Sequence, residues 1–145
     1  MIVADVNVLV AAHRSDHPAH AVATRELSAR LAQPGGAVLV PAVCWAGLMR
    51  IATNHRVFVN PSTPTQVREF AGAVMDAPAY RDFAEPEGLA ARFLDLCIAS
   101  NATANLAQDA LIAAVAASFA CPVLTFDTDF YRFTGLAVTL LQPSA

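Results

Sequence analysis

The stretch DALIAAVAA at residues 109–117, with PVLTFDTDF following at 122–130, decides the fold. The first segment carries almost no polar residue after its opening aspartate, so its spacing predicts a helix over residues 108–120 that is buried on nearly every side. The second starts at Pro122 and runs Val123, Leu124, Thr125, Phe126 before two aspartates end it. An apolar strand without alternation has both faces covered, which is the signature of a central strand in a parallel sheet. A buried helix leading into a buried strand is one half of an α/β repeat.

Working outward, the same grammar covers the rest of the chain. Residues 1–5, MIVAD and a little beyond, read as a first central strand, and Asp5 closes it. Pro18 suits the first turn of a helix to about Ala32, with Val22, Leu27 and Leu31 on one face. Pro34, Gly35 and Gly36 break the chain before a short strand at 37–40. Pro41 opens a helix through Ile51 to about Asn54, and Thr63 with Pro64 caps another that ends near Pro78. Residues 79–86 read as loop or short strand, 87–100 as a helix, 101–105 as a turn and 136–141 as a last strand. Short apolar strands alternating with longer helices predict one domain over residues 1–145, a three-layer α/β/α sandwich on a mainly parallel central sheet.

The chain is 56% hydrophobic and 14% charged, apolar enough for a doubly covered sheet or a partner-covered surface. The net charge of −3 gives no bulk nucleic-acid footprint, and the nine basic residues are all arginine. Asp5 interrupts the N-terminal apolar run and no basic region precedes it, so no signal peptide is read there. The apolar run 110–126 contains Ser118 and Pro122 and reads as core helix plus core strand, so a cytoplasmic protein with no membrane partner is expected. Cys44, Cys97 and Cys121 are odd in number, match no metal spacing and sit among apolar residues, as reduced core thiols do.

Four acids carry the chemistry. Asp5 and Asp127 fall at predicted strand carboxyl ends, where ligands gather in open α/β sheets; Asp109 falls at a predicted helix start, and Asp129 follows Asp127. A carboxylate in an apolar run needs a partner, and several on one sheet edge suggest a shared divalent cation. Oxygen-only donors favour Mg²⁺ or Mn²⁺ over zinc. Each acid also has a plainer reading: Asp5 as a turn residue, Asp109 as a helix cap, Asp127 and Asp129 as caps of DFYRF, Asp95 as a boundary polar residue. His13, His17 and His20 have metal-like spacing, but Pro18 disrupts the helix that would align them. Arg50 is a candidate phosphate or partner contact or half of an ion pair, while Trp45 and Phe58 read as packing rather than base-stacking groups. The D-x-N-x-L run at Asp5 also occurs in aspartyl phosphotransferases, which need a lysine that this chain lacks.

Taken in order, DVN at 5–7, WAGLMRIATN at 45–54, DALIAAVA at 109–116 and TFDTDF at 125–130 resemble the PIN-domain ribonucleases of the VapC toxin type over nearly the whole chain. The resemblance implies a parallel α/β sandwich that cuts single-stranded RNA with Mg²⁺ or Mn²⁺. It places Asp5, Asp109 and Asp127 at the metal, Asp129 beside them in the catalytic set, and Asn7 and Thr125 as supporting polar groups. It implies a cognate antitoxin whose C-terminal arm sends an Arg into the acidic pocket, and the high apolar content supports a covered surface and a homodimer. One position departs from the family pattern: where a glutamate usually stands three residues before the arginine of the RIATN segment, this chain has Gly47, and no acid lies between residues 27 and 68. The alternative expectation is therefore a PIN-fold RNA- or partner-binding module that cuts weakly or not at all. Gly47→Glu is expected to restore a ligand and tighten Mn²⁺, unless Gly47 gives RNA or another helix close approach.

Overall fold

A computed structural model describes residues 1–143. Four parallel strands, β1 (Ile2–Ala4), β2 (Val38–Leu39), β3 (Val123–Thr125) and β4 (Val138–Leu140), form one sheet in the order β2-β1-β3-β4. Every residue of β1 and β3 is buried, so both faces of the sheet's centre are covered, as the unbroken apolar runs required. Six helices do the covering: α1 (Val6–His13), α2 (His20–Ala32), α3 (Ala42–Ala52), α4 (Pro64–Met75), α5 (Leu89–Ser100) and α6 (Asn105–Ser118). A 3₁₀ turn, Thr128–Arg132, follows β3. Tyr80 adds a single parallel bridge to Val38, the short extended segment expected within 79–86. Thr63 caps α4 in a reciprocal capping box with Gln66, with Pro64 in the first turn.

Three elements differ from the sequence reading. Helix α2 begins at His20 with Ala19 as its N-cap, so Pro18 lies ahead of the first turn and not within it. The first strand does not run on past Asp5: the chain turns there into α1. VNVLVAAH is apolar apart from Asn7 and His13, and Val6, Val8, Leu9, Val10 and Ala11 are all buried, so no clear helical stripe stands out against the preceding strand. Helix α6 begins at Asn105, three residues ahead of the predicted start, which moves Asp109 from the helix entrance into the second turn.

The entrance to α6 is strained. Ala104 has φ 52° and ψ −127°, a region that an L side chain rarely adopts. Ala104→Gly is expected to stabilise the fold by about 1 kcal/mol, strain relief exceeding the entropy cost of a new glycine. Urea denaturation of the two proteins measures it.

Candidate metal centre and cleft

The carboxyl ends of β1 and β3 meet at one edge of the sheet. Asp5 leaves β1 with its side chain accepting the Val6 N–H at 2.7 Å, so it caps α1, and it is only 3% exposed. Its second oxygen accepts the Thr125 hydroxyl at 2.8 Å. Thr125, fully buried, in turn accepts the Asp127 N–H at 2.9 Å and the Asn7 amide N–H at 3.2 Å. The Asn7 carbonyl accepts the Phe126 N–H at 3.2 Å. The predicted supporting pair thus ties the two strand ends together and fixes the direction of both acids. Asp127 caps the 3₁₀ turn by accepting the Asp129 N–H at 2.8 Å.

Asp109 reaches this edge from the second turn of α6. One carboxylate oxygen from each of Asp109, Asp127 and Asp129 lies within 4.8 Å of the others. Asp5 lies outside that tight trio but lines the same cleft of about 370 Å³ with Asp109 and Asp127. Asp129 is exposed and also faces Arg132 at 3.6 Å. Arg50 is exposed on the last turn of α3, lines no part of the cleft and makes no ion pair among the described residues. Asp95 is exposed on α5. The three histidines go separate ways: His13 Nε2 to Ser62 Oγ at 2.8 Å, His20 Nδ1 to the Ala11 carbonyl at 2.9 Å, and His17 Nδ1 accepting the Ala19 N–H at 3.0 Å.

The electrostatics follow from this crowding. Burial pushes the Asp5 carboxyl up to about 6, against the Thr125 and Val6 hydrogen bonds that hold it down. Burial, then the charges of Asp5, Asp127 and Asp129, push Asp109 up to about 7. The buried Cys44 thiol is raised by burial and by the same two acids, Asp5 and Asp109, which leaves it inert beneath them. All three cysteines are free thiols.

These shifts have a sign in stability. An unfolded aspartate titrates near 4, so between about pH 4 and pH 7 the metal-free folded chain keeps a proton on Asp109 that the unfolded chain has released. That stabilising contribution is lost as pH rises through the folded value. His13 and His17, both lowered by burial, act in the opposite sense below their ordinary value. The comparison that isolates the acid is therefore wild type against Asp109→Asn in EDTA. The stability advantage of the variant should widen from pH 4 to pH 7, read by urea denaturation at stepped pH.

The donor set fits a hard divalent cation. It offers only carboxylate oxygens, they converge without a lysine to neutralise them, and burial together with their mutual repulsion raises Asp109. A second cavity of about 320 Å³, between α2 and α4, is lined by Leu27, Phe70, Val74 and neighbours with no acid or base among them, and has no means for this chemistry.

Gly47 is buried on α3, and its surroundings account for the departure from the family pattern. A Cβ placed there would stand 2.8 Å and 3.0 Å from the two γ-carbons of Val6. The glycine admits the first residue of α1 against α3, so the space an α3 side chain would need is filled by Val6.

Residues 2–136 match the PIN domain family, and the chain belongs to that family. Among its curated relatives it is 36% identical over 140 residues to "Ribonuclease VapC31" of Mycobacterium tuberculosis, covering 94% of this chain and 95% of the relative. It is 35% identical over 136 residues, with the same coverage, to "Ribonuclease VapC25" of that organism. Two solved structures share the fold. One is VapBC2 from Rickettsia felis bound to a promoter DNA fragment (TM-score 0.67, 15% identity, 98% of this chain and 100% of that one). The other is the FitAcB structure from Neisseria gonorrhoeae (TM-score 0.57, 20% identity, 99% and 98%).

Proposed function

We propose that this chain is a metal-dependent endoribonuclease and the toxin half of a toxin–antitoxin pair, acting in the cytoplasm. The observation that carries the reading is the convergence of Asp109, Asp127 and Asp129, with Asp5 in the same cleft, in a PIN-domain chain similar to named ribonucleases. Asp109, Asp127 and Asp129 would hold Mg²⁺ or Mn²⁺, with Asp5 as the buried fourth charge. A divalent ion supplies charge neutralisation at the phosphate and a water nucleophile near neutral pH.

The chain's own residues do the rest. Thr125 donates to Asp5 and accepts from Asp127 N–H, which sets the spacing of two acids from different strands. Asn7 locks that hydroxyl from the other side. Asp109, the carboxyl raised furthest, to about 7, carries a proton in about half of the metal-free chains at pH 7, which lowers the cluster's self-repulsion.

An antitoxin is the expected partner, consistent with the VapBC neighbour, and an Arg side chain from it would suit the acidic trio by charge-assisted hydrogen bonds. A homodimer is supported by Leu94 and Ile98, which stand 58% and 81% exposed on α5. Among the described residues no helix is long and apolar enough to cross a membrane.

The second reading, a binding module that cuts weakly, is favoured by one observation: the residue α3 contributes to the cleft is Ile51, not an acid. Calorimetry with Mn²⁺ separates the two. Saturable binding that is lost in Asp109→Asn supports the enzyme; a folded protein that takes up RNA but no Mn²⁺ supports the module.

A further inference from the structure

The cleft that holds the acids has an apolar half. Asp5, Asp109 and Asp127 reach it from the sheet edge and α6, whereas Val10 comes from α1, Ile51 from α3, and Val57 and Phe58 from the loop joining α3 to α4. Val57 is 54% exposed there, and the adjoining Val59 is 96% exposed. Apolar side chains offered to solvent beside a phosphate-handling site suggest a ligand with an apolar face.

Phe58 packs against the core at the cleft wall, and its ring also carries a cation. The Arg14 guanidinium carbon sits 4.2 Å from its ring centroid. That guanidinium is fixed in turn, Nε and one terminal nitrogen donating to the two oxygens of Asp16 at 3.0 and 2.7 Å, the other donating to Ser62 Oγ at 3.1 Å. Ser62 is anchored by His13 at 2.8 Å and by its own N–H to the Ala52 carbonyl at 2.8 Å. The loop closes on itself through the Val57 and Phe58 N–H groups to the Asn54 carbonyl. A cation stacked on a ring, itself held by a carboxylate and a buried serine, is preorganisation of that ring. His17 also lines the cleft: its Nδ1 accepts from the Ala19 N–H, so in the neutral imidazole Nε2 carries the proton, and that N–H has no acceptor among the described residues.

We propose that this shelf is the subsite for an unpaired nucleobase next to the cleaved phosphate, with Phe58 as its stacking platform and Arg14 as the residue that positions the platform. The inference rests on the ribonuclease reading above and deepens it. A base can lie on a ring only when it has left its own stack, so the subsite selects single-stranded or looped RNA over duplex. His17 Nε2 serves as a hydrogen-bond donor to that base or its sugar.

The test is steady-state cleavage with Mn²⁺ of a short fluorescein-labelled unpaired oligoribonucleotide and of the same strand annealed to its complement. Thermal unfolding and Mn²⁺ calorimetry are run on each variant. Phe58→Leu should raise KM for the unpaired strand about tenfold with kcat and Mn²⁺ affinity unchanged, since stacking on one aromatic contributes roughly that much. Phe58→Tyr should restore wild-type KM, and Arg14→Gln should raise KM in the same direction as Phe58→Leu. Should Phe58→Leu not fold, Val57→Asn, at an exposed position, should still raise KM several-fold. A protein that cuts RNA while folded Phe58→Leu or Val57→Asn keeps wild-type KM overturns the proposal alone, as does equal cutting of duplex; the shelf would then face a protein partner. A wild-type chain that neither cuts nor holds RNA overturns the proposal together with the reading beneath it.

Discussion

Asp109→Asn is expected to abolish RNA cutting, by about three orders of magnitude or more, and to leave the fold at least as stable as wild type. On the proposed function, the loss would follow from removing one of three converging charges that hold the cation supplying several kcal/mol of charge stabilisation at the phosphate. The stability follows from the same crowding. Asp109 is raised to about 7 by burial and by three like charges, so the ionised form is an electrostatic burden on the metal-free fold. Asparagine keeps the shape and drops the charge. Because the side chain is only half-buried, solvent screening limits the gain at pH 7 in EDTA to on the order of 1 kcal/mol. Denaturation in EDTA beside a cleavage assay reads both effects. A cleavage-dead variant that had also lost several kcal/mol would make Asp109 a structural residue instead.

Gly47→Glu is the second large effect, and the structure reverses the sign expected from sequence. With a Cβ 2.8 Å from Val6 Cγ2, something must move. Val6 is β-branched, sits in the first turn of α1 and is 6% exposed, so its χ1 is restricted and yielding is costly. The overpacking cost, roughly 1–3 kcal/mol for a methylene and more for a whole carboxylate arm, exceeds the ~1 kcal/mol that a helix gains on losing a glycine. The single variant is therefore expected to be destabilised, with α1 and Asp5 displaced and Mn²⁺ held more weakly. Val6→Ala combined with Gly47→Glu opens the space and is the form in which a carboxylate from α3 can enter the cleft. A double-mutant cycle read by chemical denaturation should show favourable coupling between the two positions. Additive effects would mean that Val6 and Gly47 do not compete for one volume.

What the sequence revealed and what it hid divide along a physical line. Asp5 and Asp127 were legible because a charge that ends a buried strand in a parallel sheet has few other reasons to be there, and Asn7 and Thr125 stood beside them at the same edge. Helix α1 was hidden because a helix buried all round leaves no periodic stripe, and its valines continue the composition of β1. Asp109 was displaced by one turn because the signal for the α6 start is a strained Ala104 backbone, not a capping side chain. Phe58 was read as packing, and it does pack against the core; the Arg14–Asp16–Ser62 network around it joins residues from two distant stretches, and no local pattern announces it. Gly47 was read as a missing ligand because its complement, Val6, lies 41 positions earlier in the chain.

The central claim is that the carboxylate cluster cuts RNA through a divalent cation. Its most direct test is cleavage of a mixture of structured RNAs by the purified chain, followed across a Mn²⁺ titration with parallel Mg²⁺ and EDTA arms. The account expects cutting that rises with metal, saturates, and is absent in EDTA. Cleavage that persists undiminished in EDTA would contradict it.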